Sequence, residues 1–204
     1  MAALTSSGLR TGTTLPVRAT GSSGSLINNP GDGTKPIIKD ETVYALLNED
    51  GSVRSVYVVN HSKVLEDGTY VDFGNYKKIE SLSENIQPRT EGDRIIWELK
   101  KSYGDFYYKG ELAGVELPWT FNIQYFLDGN KVQAQDLAGR SGKVEIVLSV
   151  TANESVLPYF REKFAMQVQV PIDINRASII SAHGATQVIT GKTNTLAYTV
   201  LPGT

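Results

Sequence analysis

The chain has 204 residues, 40% of them hydrophobic, and its 20 basic and 22 acidic side chains give a net charge of −2. This balance gives no electrostatic reason to expect nucleic acid as a partner. The absence of cysteine excludes disulfides, thiolate metal sites and a cysteine nucleophile. No apolar run approaches the ~18 residues of a membrane span.

Residues 1–36 are rich in Ser, Thr and Gly and contain no aromatic side chain. Such a segment buries too little apolar surface to offset the entropy lost on ordering. It also lacks the basic-then-apolar order of a signal peptide. We therefore expect a disordered linker or leader over residues 1–36, followed by a single β domain over residues 37–204.

The first part of the domain predicts two hairpins. Residues 41–47 and 52–60 are rich in Val and Tyr, and the loop between them contains Gly51, where a positive φ is expected. Residues 95–99 and 106–112 alternate around a Gly-Asp turn, which predicts the second hairpin. The stretch between the two hairpins, residues 69–79, indicates an irregular edge strand or an extended loop.

The second part of the domain has the clearest strand pattern. Residues 119–127 and 144–150 alternate between apolar and mostly polar side chains, which predicts two half-buried strands with Trp119 as a core anchor. Between them, residues 132–138 favour one or two helical turns capped by Gly139. Further strands are predicted over residues 164–172, 177–181, 186–190 and 195–200.

About ten strand candidates, and no helix of the usual ~11 residues, predict the fold class. We expect an all-β, antiparallel β-sandwich-like fold with one or two short helical turns.

Catalytic signatures are missing from the sequence. His61 and His183 are the only histidines, both at predicted strand ends, and no Gly-x-Ser-x-Gly elbow supports a triad. Two histidines are also a poor basis for a zinc site. We predict no enzymatic activity, no catalytic residue, no cofactor and no metal. A hydrolase on a β-scaffold is an alternative, which requires two acids, or a serine and a histidine, in one cleft.

An aromatic cluster contains Tyr103, Phe106, Tyr107 and Tyr108. On a strand, Phe106 and Tyr108 share one face and Tyr107 takes the other. One face is expected to pack in the core. Tyr103 and Tyr107 are the candidate recognition surface, because tyrosine can stack on a sugar ring or bind another protein.

Several phrases resemble, in the same order, the N-terminal domain of large envelope proteins of Gram-positive bacteria. These relatives are similar in organisation to the phage-infection-protein type, with heptad-rich segments and later membrane spans. The phrases cover about residues 38–203 and are Lys39-Asp40-Glu41-Thr42-Val43-Tyr44, Asp50-Gly51-Ser52-Val53, Val56-Tyr57-Val58-Val59-Asn60, Tyr107-Tyr108-Lys109-Gly110, Leu117-Pro118-Trp119, Tyr125-Phe126-Leu127-Asp128-Gly129, Leu137-Ala138-Gly139-Arg140-Ser141-Gly142 and Thr199-Val200-Leu201-Pro202-Gly203.

The resemblance implies a non-enzymatic, extracytoplasmic structural or interaction module at the cell surface. Its partner would be a protein or a cell-wall polymer, with no nucleic acid. A carbohydrate-binding module that recognises cell-wall or other glycans is an alternative. Because the chain lacks a signal peptide, heptads and spans, we expect it to be an excised unit of a longer, membrane-anchored protein.

Overall fold

A computed structural model of the chain describes residues 2–7, 15–22 and 33–201. These residues form an all-β, sandwich-like structure of mostly antiparallel sheets, with a single α-helix and two 3-10 turns among them, as the sequence predicts. The strands are β1 (Ala2–Ser7), β2 (Leu15–Ser22), β3 (Lys35–Pro36), β4 (Lys39–Leu47), β5 (Val53–Lys63), β6 (Gly68–Phe73), β7 (Lys78–Ser81), β8 (Arg89–Glu91), β9 (Arg94–Leu99), β10 (Asp105–Leu112), β11 (Trp119–Leu127), β12 (Asn130–Val132), β13 (Ser141–Ala152), β14 (Ala165–Asp173), β15 (Ala177–Ala182), β16 (Thr186–Thr190) and β17 (Thr193–Val200).

The chain divides into two compact units, where the sequence predicts one β domain over residues 37–204. Unit 1 comprises Met1–Ala19, Ala45–Arg54 and Glu116–Thr204, and unit 2 comprises Thr20–Tyr44 and Ser55–Val115. Each unit is discontinuous in sequence, which local hydrophobic patterns do not reveal.

Strands β1, β2 and β3 lie within residues 1–36, where the composition predicts a disordered linker or leader. Strand β1 pairs antiparallel with both β13 and β15. The prediction weighed side-chain burial alone, whereas a strand between two others gains backbone hydrogen bonds on both edges whatever its side chains are. The rest of that predicted segment, up to residue 32, lies outside the described residues.

The predicted strand-turn-strand of unit 1 is confirmed. Strand β11 pairs antiparallel with β13 over its whole length, from Trp119 opposite Ala152 to Leu127 opposite Val144. Its other edge pairs with β12 through a turn in which both central residues have positive φ, the geometry that suits a tight hairpin. The 3-10 turn Ala134–Leu137 and Gly139, at φ +75°, confirm the predicted helical turn and its cap.

To a second sheet, unit 1 contributes β14, β17 and β16 in that order. Its inward side chains are fully buried at Met166, Val168 and Leu196, and Val144 of β13 is equally buried. The single described α-helix, α1 (Tyr159–Lys163), directly follows Pro158, a position at which proline is compatible with a helix.

Unit 2 has two sheets, and they overturn the predicted second hairpin. Strand β9 pairs with β6 and β8, whereas β10 pairs with β5 and β7. The 3-10 turn Lys101–Tyr103 and Gly104 carry the chain from one sheet to the other. Alternation predicted the two strands, but it carries no information about which strand is the hydrogen-bonding partner.

The core of unit 2 is aromatic. Trp97 of β9 is fully buried and lies 4.9 Å from Phe106 and 5.1 Å from Tyr108, measured between ring centroids. Trp119, the predicted core anchor, is only half-buried at the start of β11. Alternation along β11 therefore did not determine how deeply its first side chain is buried.

Candidate functional site

The solvent-facing side of strands β4, β5 and β10 in unit 2 carries four rings. Tyr44, Tyr57, His61 and Tyr107 occupy alternate strand positions, opposite in parity to the buried side chains of β5 and β10. We call these four residues the aromatic face.

The rings of the aromatic face form two stacked pairs. Tyr44 and Tyr57 have centroids 5.1 Å apart and planes 11° apart. His61 and Tyr107 lie directly opposite each other on β5 and β10, with centroids 4.4 Å apart and planes 17° apart. Cross-strand aromatic pairs of this kind stabilise a sheet and also fix the rings in place.

Tyr107 is the most accessible tyrosine of the aromatic face, with 39% of its surface exposed. Its backbone is held on the far edge of β10, where its N–H donates to Ser83 Oγ (2.8 Å) and its carbonyl accepts from the Leu82 N–H (2.8 Å). The ring is therefore presented to solvent from a fixed backbone.

Charged side chains surround the rings. Lys109 Nζ lies 4.9 Å from the centroid of Tyr57, a cation–π distance. The pKa of Tyr57 is raised, mainly by partial burial and to a smaller extent by the nearby Tyr44. Its hydroxyl therefore stays protonated and can donate a hydrogen bond.

His61 lies inside β5 rather than at a strand end, because β5 continues to Lys63. Its Nε2 is 3.0 Å from Asp105 Oδ1 and its Nδ1 is 3.8 Å from Asp40 Oδ2. A catalytic triad needs a carboxylate at one ring nitrogen and a nucleophile at the other. Here both nitrogens face carboxylates, so the geometry is that of a positioned surface histidine.

The two residues of the predicted recognition surface have different environments. Tyr107 belongs to the aromatic face, but Tyr103 is half-buried and packs against the aromatic core cluster of unit 2. The two rings therefore do not form one platform. Sequence reasoning missed Tyr44, Tyr57 and His61, although Tyr57 and His61, four residues apart on a strand, share a face.

A second site lies inside unit 2, around a buried carboxylate. Asp72 of β6 is 3% exposed, and its Oδ2 lies 2.8 Å from Lys39 Nζ of β4. Lys39 also contacts Glu41 Oε1 at 2.9 Å, and the hydroxyl of Tyr108 donates to the same Asp72 oxygen. The backbone N–H of Phe73 donates to Asp72 Oδ1 at 2.7 Å.

The pKa values in this buried cluster follow from burial and from the carboxylates. Burial alone would lower the pKa of Lys39, but Asp72 and Glu41 outweigh it and raise the pKa above its ordinary value. Burial and then Asp72 raise the pKa of Tyr108, so this hydroxyl remains a hydrogen-bond donor at all physiological pH values.

Tyr76 closes one side of the buried cluster. Its ring lies so close to Gly74 and Gly110 that a Cβ at either position would approach a ring carbon to 2.5 Å. The Tyr76 hydroxyl accepts from Asn60 Nδ2 at 3.4 Å. Asn60 is buried, and its Oδ1 has no hydrogen-bond partner among the described residues.

Unit 1 contains an apolar cavity of about 220 Å³ between strands β13, β14 and β17. Its lining is aliphatic except for Tyr198 and His183, and it includes no Asp or Glu among the residues that the structure describes. His183 follows β15 at its end, as predicted. A histidine without a carboxylate or a nucleophile beside it lacks the parts of a hydrolytic site.

Within residues 2–7, 15–22 and 33–201, no group of three or more His, Asp or Glu side chains is arranged to hold a metal ion. In the same residues, no helix has the length and hydropathy needed to cross a membrane. Comparison of the chain with protein-family models, curated proteins and solved structures gives no match.

Proposed function

We propose that the chain is a non-enzymatic interaction module of a bacterial cell-envelope protein, located outside the cytoplasm, with a protein or a cell-wall polymer as its partner. The observation that supports this most is the aromatic face. Four rings on one side of a sheet, with Tyr107 exposed and charges around them, match the composition of protein-binding surfaces, which are enriched in aromatic residues and have a polar rim.

The ring geometry favours a protein as the partner. A sugar platform uses free ring faces, whereas each ring of a stacked pair already has one face covered by its neighbour. Protein hot spots instead use tyrosines held rigidly by packing, so that little side-chain entropy is lost on binding. The stacked pairs of the aromatic face provide that rigidity in advance.

A carbohydrate-binding module is the second candidate, because one observation favours it. The exposed Tyr107 ring lies next to the carboxylates of Asp105 and Asp40 that surround His61. Carboxylates beside an aromatic ring can accept hydrogen bonds from sugar hydroxyls while the ring packs on the apolar side of the sugar.

Retention of proteins from the envelope fraction of a Gram-positive bacterium tests the proposal. The immobilised wild-type chain is compared with Tyr107→Ala and with Tyr159→Ala, which removes an exposed tyrosine from unit 1. We expect one protein to be retained by wild type and Tyr159→Ala and to bind Tyr107→Ala at least ~30-fold more weakly, the loss typical of a hot spot of about 2 kcal/mol.

A glycan array with the same three proteins separates the two candidates. Binding to a glycan that Tyr107→Ala abolishes supports the carbohydrate-binding module. If wild type and Tyr107→Ala retain proteins equally, and neither binds any glycan on the array, the aromatic face binds neither a protein nor a glycan. A purely structural role then remains.

A further inference from the structure

The buried cluster around Asp72 places an amine against a carboxyl group in the interior of unit 2. Lys39 Nζ is 2.8 Å from Asp72 Oδ2, and the two side chains are only 11% and 3% exposed. Because Oδ2 is bonded to Cγ, the nitrogen already lies next to the carbon that it would attack. Such proximity supplies much of the entropy that a reaction between two separate groups would lose.

We propose that Lys39 and Asp72 are a covalent modification site, at which the two side chains condense spontaneously to an intramolecular amide bond. The bond would join Nζ of Lys39 to Cγ of Asp72. It would connect β4, which lies beside β5 in one sheet of unit 2, to β6 in the other sheet.

The step balances without any oxidant, cofactor or second substrate. The Lys39 ammonium carries three protons and the Asp72 carboxylate carries two oxygens. The N–C bond forms and the bond from Cγ to Oδ2 breaks. One proton stays on the amide nitrogen, and the other two leave with Oδ2 as water. Oδ1 remains as the amide carbonyl, where the Phe73 N–H already donates to it.

Glu41 and Tyr108 contact the reacting atoms and define the two catalytic roles. The carboxylates around Lys39 keep it mainly as the ammonium, so the free amine forms only transiently, when Glu41 Oε1, 2.9 Å from Nζ, accepts one of its protons as the N–C bond forms. The Tyr108 hydroxyl, which donates to Oδ2, draws charge from Cγ and assists departure of that oxygen. Glu41 then returns its proton to the departing oxygen.

Burial favours the amide over the ion pair. A buried ion pair loses hydration that its mutual attraction only partly restores, whereas a neutral amide has a much smaller desolvation penalty. The fully buried Trp97 and Phe106 beside Tyr108 keep bulk water away from the product. Hydrolysis of the bond is slowed for the same reason.

A surface pair of the same unit is a suitable control. Lys77 Nζ and Glu111 Oε1 are 3.5 Å apart, but their side chains are 66% and 32% exposed. This pair is hydrated, and removing it should leave the condensation at Lys39 unaffected.

Intact-mass spectrometry of the full-length purified chain is the test. We expect the main wild-type species to be lighter than the sequence mass by one water molecule, and Lys77→Met to show the same loss. Lys39→Met and Asp72→Ala should have the full sequence mass. Glu41→Gln, which keeps the side-chain shape but cannot accept the proton, should have the full mass or lose water far more slowly.

Proteolytic mapping of the wild-type chain should give a branched peptide that joins the segment containing Lys39 to the segment containing Asp72. A folded wild-type chain that keeps its full sequence mass overturns the proposal. So does a loss of water that persists in Lys39→Met, because the water would then come from a cyclic imide at an aspartate.

Discussion

Gly51, in the loop between β4 and β5, should be the least replaceable glycine of unit 1. Its φ is +94°, which costs an alanine roughly 1–2 kcal/mol. An added Cβ would also lie 2.5 Å from the carbonyl oxygen of Phe121 on β11, and such overpacking costs about 1–3 kcal/mol. We expect Gly51→Ala to lower the free energy of unfolding by about 2–5 kcal/mol, a large fraction of the usual total.

Gly129, in the turn after β11, is the matched control. Its φ of +85° is similar, but among the residues that the structure describes, other than its two chain neighbours, no atom lies within 4 Å of the position of an added Cβ. Gly129→Ala should therefore cost only the roughly 1–2 kcal/mol of the backbone conformation. Urea unfolding followed by tryptophan fluorescence gives both free energies, and unchanged m-values show that the unfolded state is not affected. If Gly51→Ala and Gly129→Ala lower the free energy of unfolding equally, the close approach of Gly51 to β11 does not contribute to the loss.

Two further predictions concern pH and packing. Burial, then Glu49 and Asp50, raises the pKa of Tyr125 to about 12; the unfolded chain therefore loses this proton first, and stability should fall as pH rises from about 10 to 12. In Tyr125→Phe, stability should fall less over this pH range. If wild type and variant lose stability in parallel, the raised pKa of Tyr125 is not the cause of the loss. Gly110→Ala should cost about 1–3 kcal/mol by displacing the Tyr76 ring, and Tyr76→Ala should remove most of that cost in the double mutant. Strict additivity in urea unfolding would show that the two residues do not interact.

The strands of the fold could largely be predicted from side-chain alternation. The predicted strand over residues 164–172 agrees with β14 (Ala165–Asp173), because each inward position must be apolar when one face of a sheet is buried. The partner of each strand could not be predicted in this way. β9 and β10 are neighbours in sequence with similar apolar patterns, yet they belong to different sheets, because the 3-10 turn Lys101–Tyr103 and Gly104 carry the chain from one sheet to the other.

The candidate sites were harder to predict than the strands. Tyr107 was found because it lies in a visible run of aromatic residues, but its stacking partner His61 is brought to it only by the register of β5 against β10. Lys39 and Asp72 are 33 residues apart, so their contact is a property of the tertiary structure. The one local sequence signal for this buried site was the position of an aspartate, Asp72, among strand-forming residues.

The interleaved order of the two units determines when each can fold during synthesis. All residues of unit 2 have been made once Val115 is added, whereas unit 1 still lacks Glu116–Thr204. Until β13 and β15 emerge, β1 has neither of its strand partners, and residues 45–54 lack β11. Pairings this distant in sequence form slowly and leave strand edges open to other chains. Losses by aggregation during expression should therefore originate in unit 1.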